Sequence, residues 1–191
     1  MKSILLIFVA VATSLFGQET ALDLDPAQTH VEFTLGAVLH TVHGTFQLKR
    51  AALRYDLATG KASGEIVIDA RSGQTGNDSR DKKMHKSILE SERYPEIVFL
   101  PDRVDGSIAK SNLHGTFRIH GQDHEMKVVV ESTENNGRLG FHTQFAVPYV
   151  QWGMKNPSTL LLRVGENVDL DIRGEGKITT PGARSLSSAV R

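Results

Sequence analysis

RSGQTGNDSRDKKMHKSILESERYPEIVF, residues 71–99, sets a polar turn, one short amphipathic helix and a return strand inside a chain that elsewhere alternates apolar and polar residues. The helix is expected to begin at Asp78 with Asp81 three residues on, since both carboxylates can accept from orphan N–H groups and oppose the positive helix end. Met84 and Ile88 fall one turn apart and form a narrow apolar stripe, away from Lys82, Lys83 and Lys86. Pro95 forbids continuation. So short a helix is not stable alone, and Met84, Ile88 and Leu89 must pack on the surrounding sheet, at the end of a barrel or sandwich.

Outward from this insert the period is 2. Val31, Phe33 and Leu35 share one face, as do Val42, Phe46 and Leu48, then Ile66 and Ile68. Leu113, Phe117 and Ile119, then Val128 and Val130, then Leu139, Phe141, Phe145 and Val147, and finally Val168, Leu170 and Ile172 continue the pattern. Turns fall at Thr59-Gly60, Asp105-Gly106, Asn135-Asn136-Gly137 and Gly165-Glu166-Asn167. Many strands joined by short hairpins mean antiparallel pairing, and closure into a barrel removes exposed edges. The expected fold is all-β, an antiparallel eight-stranded barrel with one short helical insert at one end. His43-Gly44-Thr45-Phe46 recurs as His114-Gly115-Thr116-Phe117, with each glycine on the apolar face where a bend or close backbone approach is expected.

The chain opens with Lys2, an apolar run from Ile4 to Phe16 and a small residue at Gly17. That is the pattern of a signal peptide over residues 1–17, the alternative being an uncleaved anchor. The barrel domain is expected over residues 18–178 and a disordered tail over 179–191, which is rich in Ser, Gly and Ala. About 170 residues after cleavage suit one domain with a large core. The chain carries 22 Lys and Arg against 22 Asp and Glu, which argues against nucleic acid as partner. Its cysteine count is 0, excluding disulfides, thiol catalysis, thiolate metal sites and a lipidated cysteine. The protein is therefore expected in the periplasm or outside the cell, without a membrane span after cleavage.

A barrel of this size is either filled by side chains or holds one slender ligand. An apolar lining suits a hydrocarbon: burying ~400 Å² at about 25 cal/mol/Å² releases roughly 10 kcal/mol gross, before ordering costs. The residues themselves leave a filled core and a hollow one equally open.

The chain resembles the YceI-like family, secreted polyisoprenoid-binding proteins with lipocalin-like barrels. The most specific block is Ser72, Thr75, Asn77, Arg80 and Asp81, then Met84-His85, then Tyr94-Pro95 leading into Ile97 and Phe99. Leu24-Asp25-Pro26, Thr29-His30, Val42-His43-Gly44-Thr45-Phe46, Leu113-His114-Gly115, His120-Gly121 and the loop Val147 to Met154 support it. The segment HGQDHEM, residues 120–126, is more polar than the family pattern. The resemblance implies a hollow barrel holding a polyisoprenoid or quinone-like lipid, for transport or sequestration. It also implies a tunnel lined by Val31, Phe33, Leu35, Val42, Phe46, Leu48, Ile66, Ile68, Met84, Ile88, Phe99, Leu113, Phe117, Ile119, Phe141 and Phe145. No cofactor, metal site or catalytic residue is expected, and a homodimer is left open.

Two other readings stand beside it, a secreted hydrolase using histidines and a filled barrel acting as an interaction module. His40 and His43 are close in sequence, as are His120 and His124, and imidazole can bind metal or act as a base. Residues three apart on a strand face opposite ways, so solvated surface histidines are the expectation. No Gly-x-Ser-x-Gly elbow, metalloprotease helix or phosphate loop is present. Asp81 is explained by capping and Arg80 by fixing its loop. Lys82, Lys83 and Lys86, flanked by Asp78, Asp81, Glu90 and Glu92, read as a solvated helix face.

Overall fold

The alternating segments form nine strands: β1 (Thr20–Leu24), β2 (His30–Leu35), β3 (Val42–Asp56), β4 (Lys61–Gln74), β5 (Glu96–Gly106), β6 (Lys110–Ile119), β7 (Gln122–Asn135), β8 (Arg138–Val147) and β9 (Val168–Thr179). The structure is a computed structural model and describes residues 19–38, 40–159 and 163–180. The expected signal peptide lies outside these residues. Of the expected tail, Thr179 is the last residue of β9, and residues 181–191 lie outside.

Every pairing is antiparallel, in the order β1-β3-β2-β9-β8-β7-β6-β5-β4, and β3 closes on β4. Both β1 and β2 sit between β3 and β9: β1 pairs Leu22 with Leu53 and Ile178, and β2 pairs Val31 with Phe46 and Ile172. They are two halves of one wall position, so the nine strands make an eight-position barrel. The break between them is local chemistry. Pro26 has no N–H to give to a ladder. Asp25 caps the single 3-10 turn Pro26–Gln28, its Oδ1 accepting from Ala27 N at 2.9 Å, and Thr29 Oγ1 donates back to the Asp25 carbonyl at 2.8 Å. At about 3.3 Å per residue and a tilt of about 40°, the 15 residues of β3 span roughly 35–40 Å of barrel axis.

Bulges keep the apolar set inward where simple alternation would fail. The register of β3 on β4 shifts between Leu48 and Arg50, so the inward series of Val42, Phe46 and Leu48 resumes at Ala51 and Leu53. In β5 the register on β6 shifts between Pro101 and Arg103, and the β4–β5 ladder is interrupted over the same stretch, between Lys61↔Arg103 and Ile66↔Phe99. Pro101 lacks a donor, and the gap falls where one is missing. His120-Gly121 (φ 52° and 73°) and Asn136-Gly137 (φ 51° and 75°) pair two left-handed residues each, the combination of tight two-residue hairpins. The polar start of HGQDHEM is therefore a turn.

Both glycines of the repeated His-Gly-Thr-Phe segment stand at close approaches. A Cβ on Gly44 would lie 2.3 Å from the Phe33 ring, and one on Gly115 would lie 2.2 Å from the Leu100 carbonyl oxygen.

The insert differs from expectation at its start. Helix α1 (Asp78–Lys83) is capped by Asn77, whose side chain accepts from Arg80 N at 3.0 Å. Asp81 turns back to accept from Thr75 N at 3.0 Å and from the Thr75 hydroxyl. Asn77 and Asp78 are adjacent and both able to cap; the extended backbone at Asn77 (φ −138°, ψ 108°) decides between them. Met84–Ile88 then continues as a π-helical turn, with Leu89 N donating to Met84 O at 2.9 Å. Met84 and Ile88 pack against the core and Leu89 is buried, so the apolar stripe does face the sheet.

Candidate functional site

The strands' inward faces enclose space rather than filling it. Two cavities lie along the barrel. One, of about 410 Å³, sits at the helix end and is lined by Phe33, Leu35, Val42, Phe46, Met84, Ile88 and Ile119 together with Val168 and Leu170. The other, of about 150 Å³, occupies the far half, between Leu48, Ile66, Phe99, Leu113 and Phe141, with Leu22, Leu24, Val128 and Leu139. Val31, Ile68, Phe117 and Phe145 line both. Every residue expected on the tunnel wall thus borders one cavity or the other.

The two ends differ in polarity. At the helix end His40, Asn77, Ser79 and Lys83 line the cavity and are themselves exposed, so it reaches the surface there. Arg80 joins them: its Nε donates to Thr75 Oγ1 at 2.7 Å and its Nη2 to the Thr75 carbonyl at 3.0 Å, while Asp81 holds Thr75 from the other side. The expected loop-fixing role of Arg80 is visible in these bonds. Lys83 is exposed as expected, and its Nζ also reaches across the opening to the Pro157 carbonyl at 3.0 Å. At the far end, Leu57 and Ile108 border the cavity with Ser107, Ser111 and Ser132. Two of the hydroxyls inside the barrel have backbone partners: Thr143 donates to the Val129 carbonyl at 2.8 Å and Ser132 to that of Ile108. The wall toward the cavity is left apolar.

Residues from the β8–β9 connection complete the helix-end cavity. Tyr149, Met154, Pro157 and Val164 line it. Tyr149 is only 4% exposed, its hydroxyl donates to the Gly165 carbonyl at 2.8 Å, and burial, aided by Glu166, pushes its pKa up to about 12. The sequence offered one weak signal for this segment, the likeness of Val147–Met154 to a family loop.

Two of the histidines expected in solvent are not there. His124 stacks flat on Trp152, ring centroids 4.1 Å apart and planes within 6°. His120 packs on Tyr94 at 4.7 Å, with its Nε2 3.4 Å from Glu90 Oε1. The Nε2 atoms of both are buried without a hydrogen-bond partner. They were misjudged because Tyr94 and Trp152, which cover them, come from distant chain segments. Glu90 and His120 are both left-handed (φ 47° and 52°), so the insert meets the β6–β7 turn through two residues in a conformation few side chains adopt. His85 fastens the insert from beneath: Nε2 lies 2.8 Å from the Gly73 carbonyl and Nδ1 3.0 Å from Ser91 Oγ. A carbonyl only accepts, so a neutral ring carries its proton on Nε2 and takes the Ser91 hydroxyl on Nδ1. His30, His40 and His43 are exposed as expected. Among the described residues no group of three or more His, Cys, Asp or Glu is placed to hold a metal ion.

A family model described as the YceI-like domain matches residues 22–176. The chain belongs to the YceI-like family. Solved structures with this fold include BcnA of Burkholderia cenocepacia, at TM-score 0.70 and 18% identity over 80% of this chain and 99% of that one. A polyisoprenoid binding domain from Saccharophagus degradans, implicated in plant cell wall breakdown, aligns at TM-score 0.62 and 15% identity over 84% and 98%. A mutant YCEI protein of Campylobacter jejuni aligns at 0.58 and 18% over 73% and 85%. At these identities the likeness concerns the fold. No curated protein sequence matches the chain. Within the YceI-like domain, this chain's nearly continuous apolar hollow and its polar opening are the features from which function follows.

Proposed function

We propose that this YceI-like protein is an exported, non-enzymatic carrier that holds a polyisoprenoid or quinone-like lipid in its barrel, for transport or sequestration. The observation that carries this reading is the hollow itself, two apolar cavities end to end, the larger reaching the surface between His40, Asn77, Ser79, Arg80 and Lys83 and the smaller at Arg54, Ser107 and Ile108. The hydrocarbon chain lies along the axis and the polar end of the lipid at that opening, where donors gather. Its wall is formed by the tunnel residues named from the sequence. The Saccharophagus domain, described as polyisoprenoid binding, supports the choice of ligand class. The N-terminal Lys2 and apolar run support export to the periplasm or medium. Among the described residues no helix is long and apolar enough to cross a membrane. The hydrolase reading has no geometry behind it, since His120 rests on Tyr94 and His124 on Trp152.

Intact-mass comparison of native and denatured protein purified from its own host tests the reading. Loss of an apolar species of several hundred daltons on denaturation is expected; native protein that carries none and never takes up a fluorescent isoprenoid overturns it. Ile68→Trp adds bulk without charge at a wall position common to both cavities. It should displace lipid and leave folding nearly intact, whereas a filled core would lose ~1–3 kcal/mol.

A further inference from the structure

The two cavities meet at a ring. Six residues border both, Val31, Ile68, Ile97, Phe117, Phe145 and Ile172. They come from β2, β4, β5, β6, β8 and β9, six of the eight wall positions, β3 and β7 contributing none. Two couples of them are register partners, Val31 with Ile172 and Ile68 with Ile97. Phe117 meets Phe145 edge to face, with centroids 6.4 Å apart. One arc of the ring is β-branched and stiff at χ1. The other is the phenylalanine pair, and behind it Trp152 packs on Phe117 at 5.7 Å and stacks on His124. The far side of the ring offers about 150 Å³ and the helix side about 410 Å³. Anything occupying both must pass between these six apolar side chains.

We propose that this ring is a filter for chain shape and number. It admits one linear hydrocarbon chain, so the barrel takes single-chain lipids and refuses two-chain ones. Chains too short to reach it occupy the helix-end cavity alone. The inference rests on the lipid-carrier reading and adds what kind of lipid is accepted and which residues decide. The stiff arc sets the width of the passage, and Trp152 fixes how far the Phe117 ring can yield.

Trp152 is the only tryptophan of the chain, so its emission reports on the ring without any substitution. Prenyl alcohols of two, four and nine isoprene units, with a diacylglycerol of matched chain length, are titrated into full-length mature protein stripped of lipid. The nine-unit alcohol is expected to bind at least tenfold tighter than the two-unit one and to shift Trp152 emission, while the two-unit alcohol binds without a shift and the diacylglycerol does not bind. Val31→Phe narrows the passage; it should weaken the nine-unit alcohol at least tenfold and the two-unit one by a clearly smaller factor, in protein that still melts cooperatively. If Val31→Phe does not fold, Ile172→Phe on the facing strand and the wild-type emission data carry the same comparison. Diacylglycerol binding as tight as the nine-unit alcohol overturns the filter and leaves the carrier reading intact. So does an emission shift that is equal at every chain length. Absence of binding at any length overturns both.

Discussion

The two ends of the barrel are built from different materials. The far end is bordered by short turns, its β3–β4 turn capped by Asp56, which accepts from Ala58 N at 2.9 Å and Thr59 N at 3.3 Å. There Asp105 is bonded by Asn112 and by His114, the latter at 2.8 Å. The helix end is assembled from an insert, a long connection and a turn that touch through side chains: Lys83 on Pro157, His85 on Gly73, Glu90 near His120. Contacts within single hairpins fix one end, and side-chain contacts between distant segments fix the other. The low-stability part of a structure is the part that opens, so the helix end is the one expected to open first.

The largest expected effect tests how rigid the far half is. Gly115→Val would drive a side chain into the β5 backbone at Leu100 and should cost about 3 kcal/mol or more in urea unfolding. At the helix end Gly76 has φ 74° but open space around it, so Gly76→Ala should cost about 1 kcal/mol, the left-handed backbone alone. Equal losses at the two sites would break the comparison. Next in size is His85→Ala, which removes two hydrogen bonds under the insert for about 1–2 kcal/mol. Hydrogen exchange should quicken over residues 75–95 and stay unchanged in the β5–β6 hairpin; uniform quickening would mean the insert is not a separate unit. Arg80→Met with Lys83→Met should lower lipid retention about tenfold, or about 1.4 kcal/mol, while Ser111→Ala at the far end leaves it unchanged.

The smallest effects are in pH. Hydrogen bonds from Asn112 and then His114 hold Asp105 below the usual carboxylate range, and the β3–β4 turn does the same for Asp56. Their contribution is complete above the unfolded pKa and is lost as pH falls through the folded one; Glu96, held down by Lys49 and Arg50, and Asp123, held down by Arg118, do the same at the helix end, so acid should quicken exchange at both ends. Tyr149 behaves oppositely. Its folded pKa of about 12 exceeds the unfolded value near 10, so the unfolded chain loses the proton first and stability declines as pH rises through that interval, at the helix end. Tyr149→Phe should remove that alkaline component of a melting-temperature profile; an unchanged profile would show that Tyr149 does not titrate with unfolding.

Legibility in the sequence followed how local each cause was. Alternation along β2, β8 and β9 is a near-neighbour pattern, and those strands and their inward residues could be read directly. The helical insert was legible for the same reason, through Met84, Ile88 and Pro95. The phase change at Leu48 was not, because the bulge depends on how β3 meets β4. Nor was the cover over His120 and His124, since Tyr94 and Trp152 arrive from other parts of the chain. The helix-end cavity was half legible. Its strand walls follow the period, while Tyr149, Met154 and Val164 lie in a connection without one.

The divided first wall position has a consequence for assembly. Strands β3 to β8 each pair with a neighbour in sequence, and can zip as hairpins while the chain is still growing. Residues 20–35 cannot finish in this way, because β1 and β2 need β9 as well as β3. The first part of the chain waits for the last, and the cylinder shuts along that seam only when residues 168–179 arrive. A chain cut before Val168 would keep two unpaired edges, on β8 and on the β1–β2 side, and so be prone to stick to its own copies.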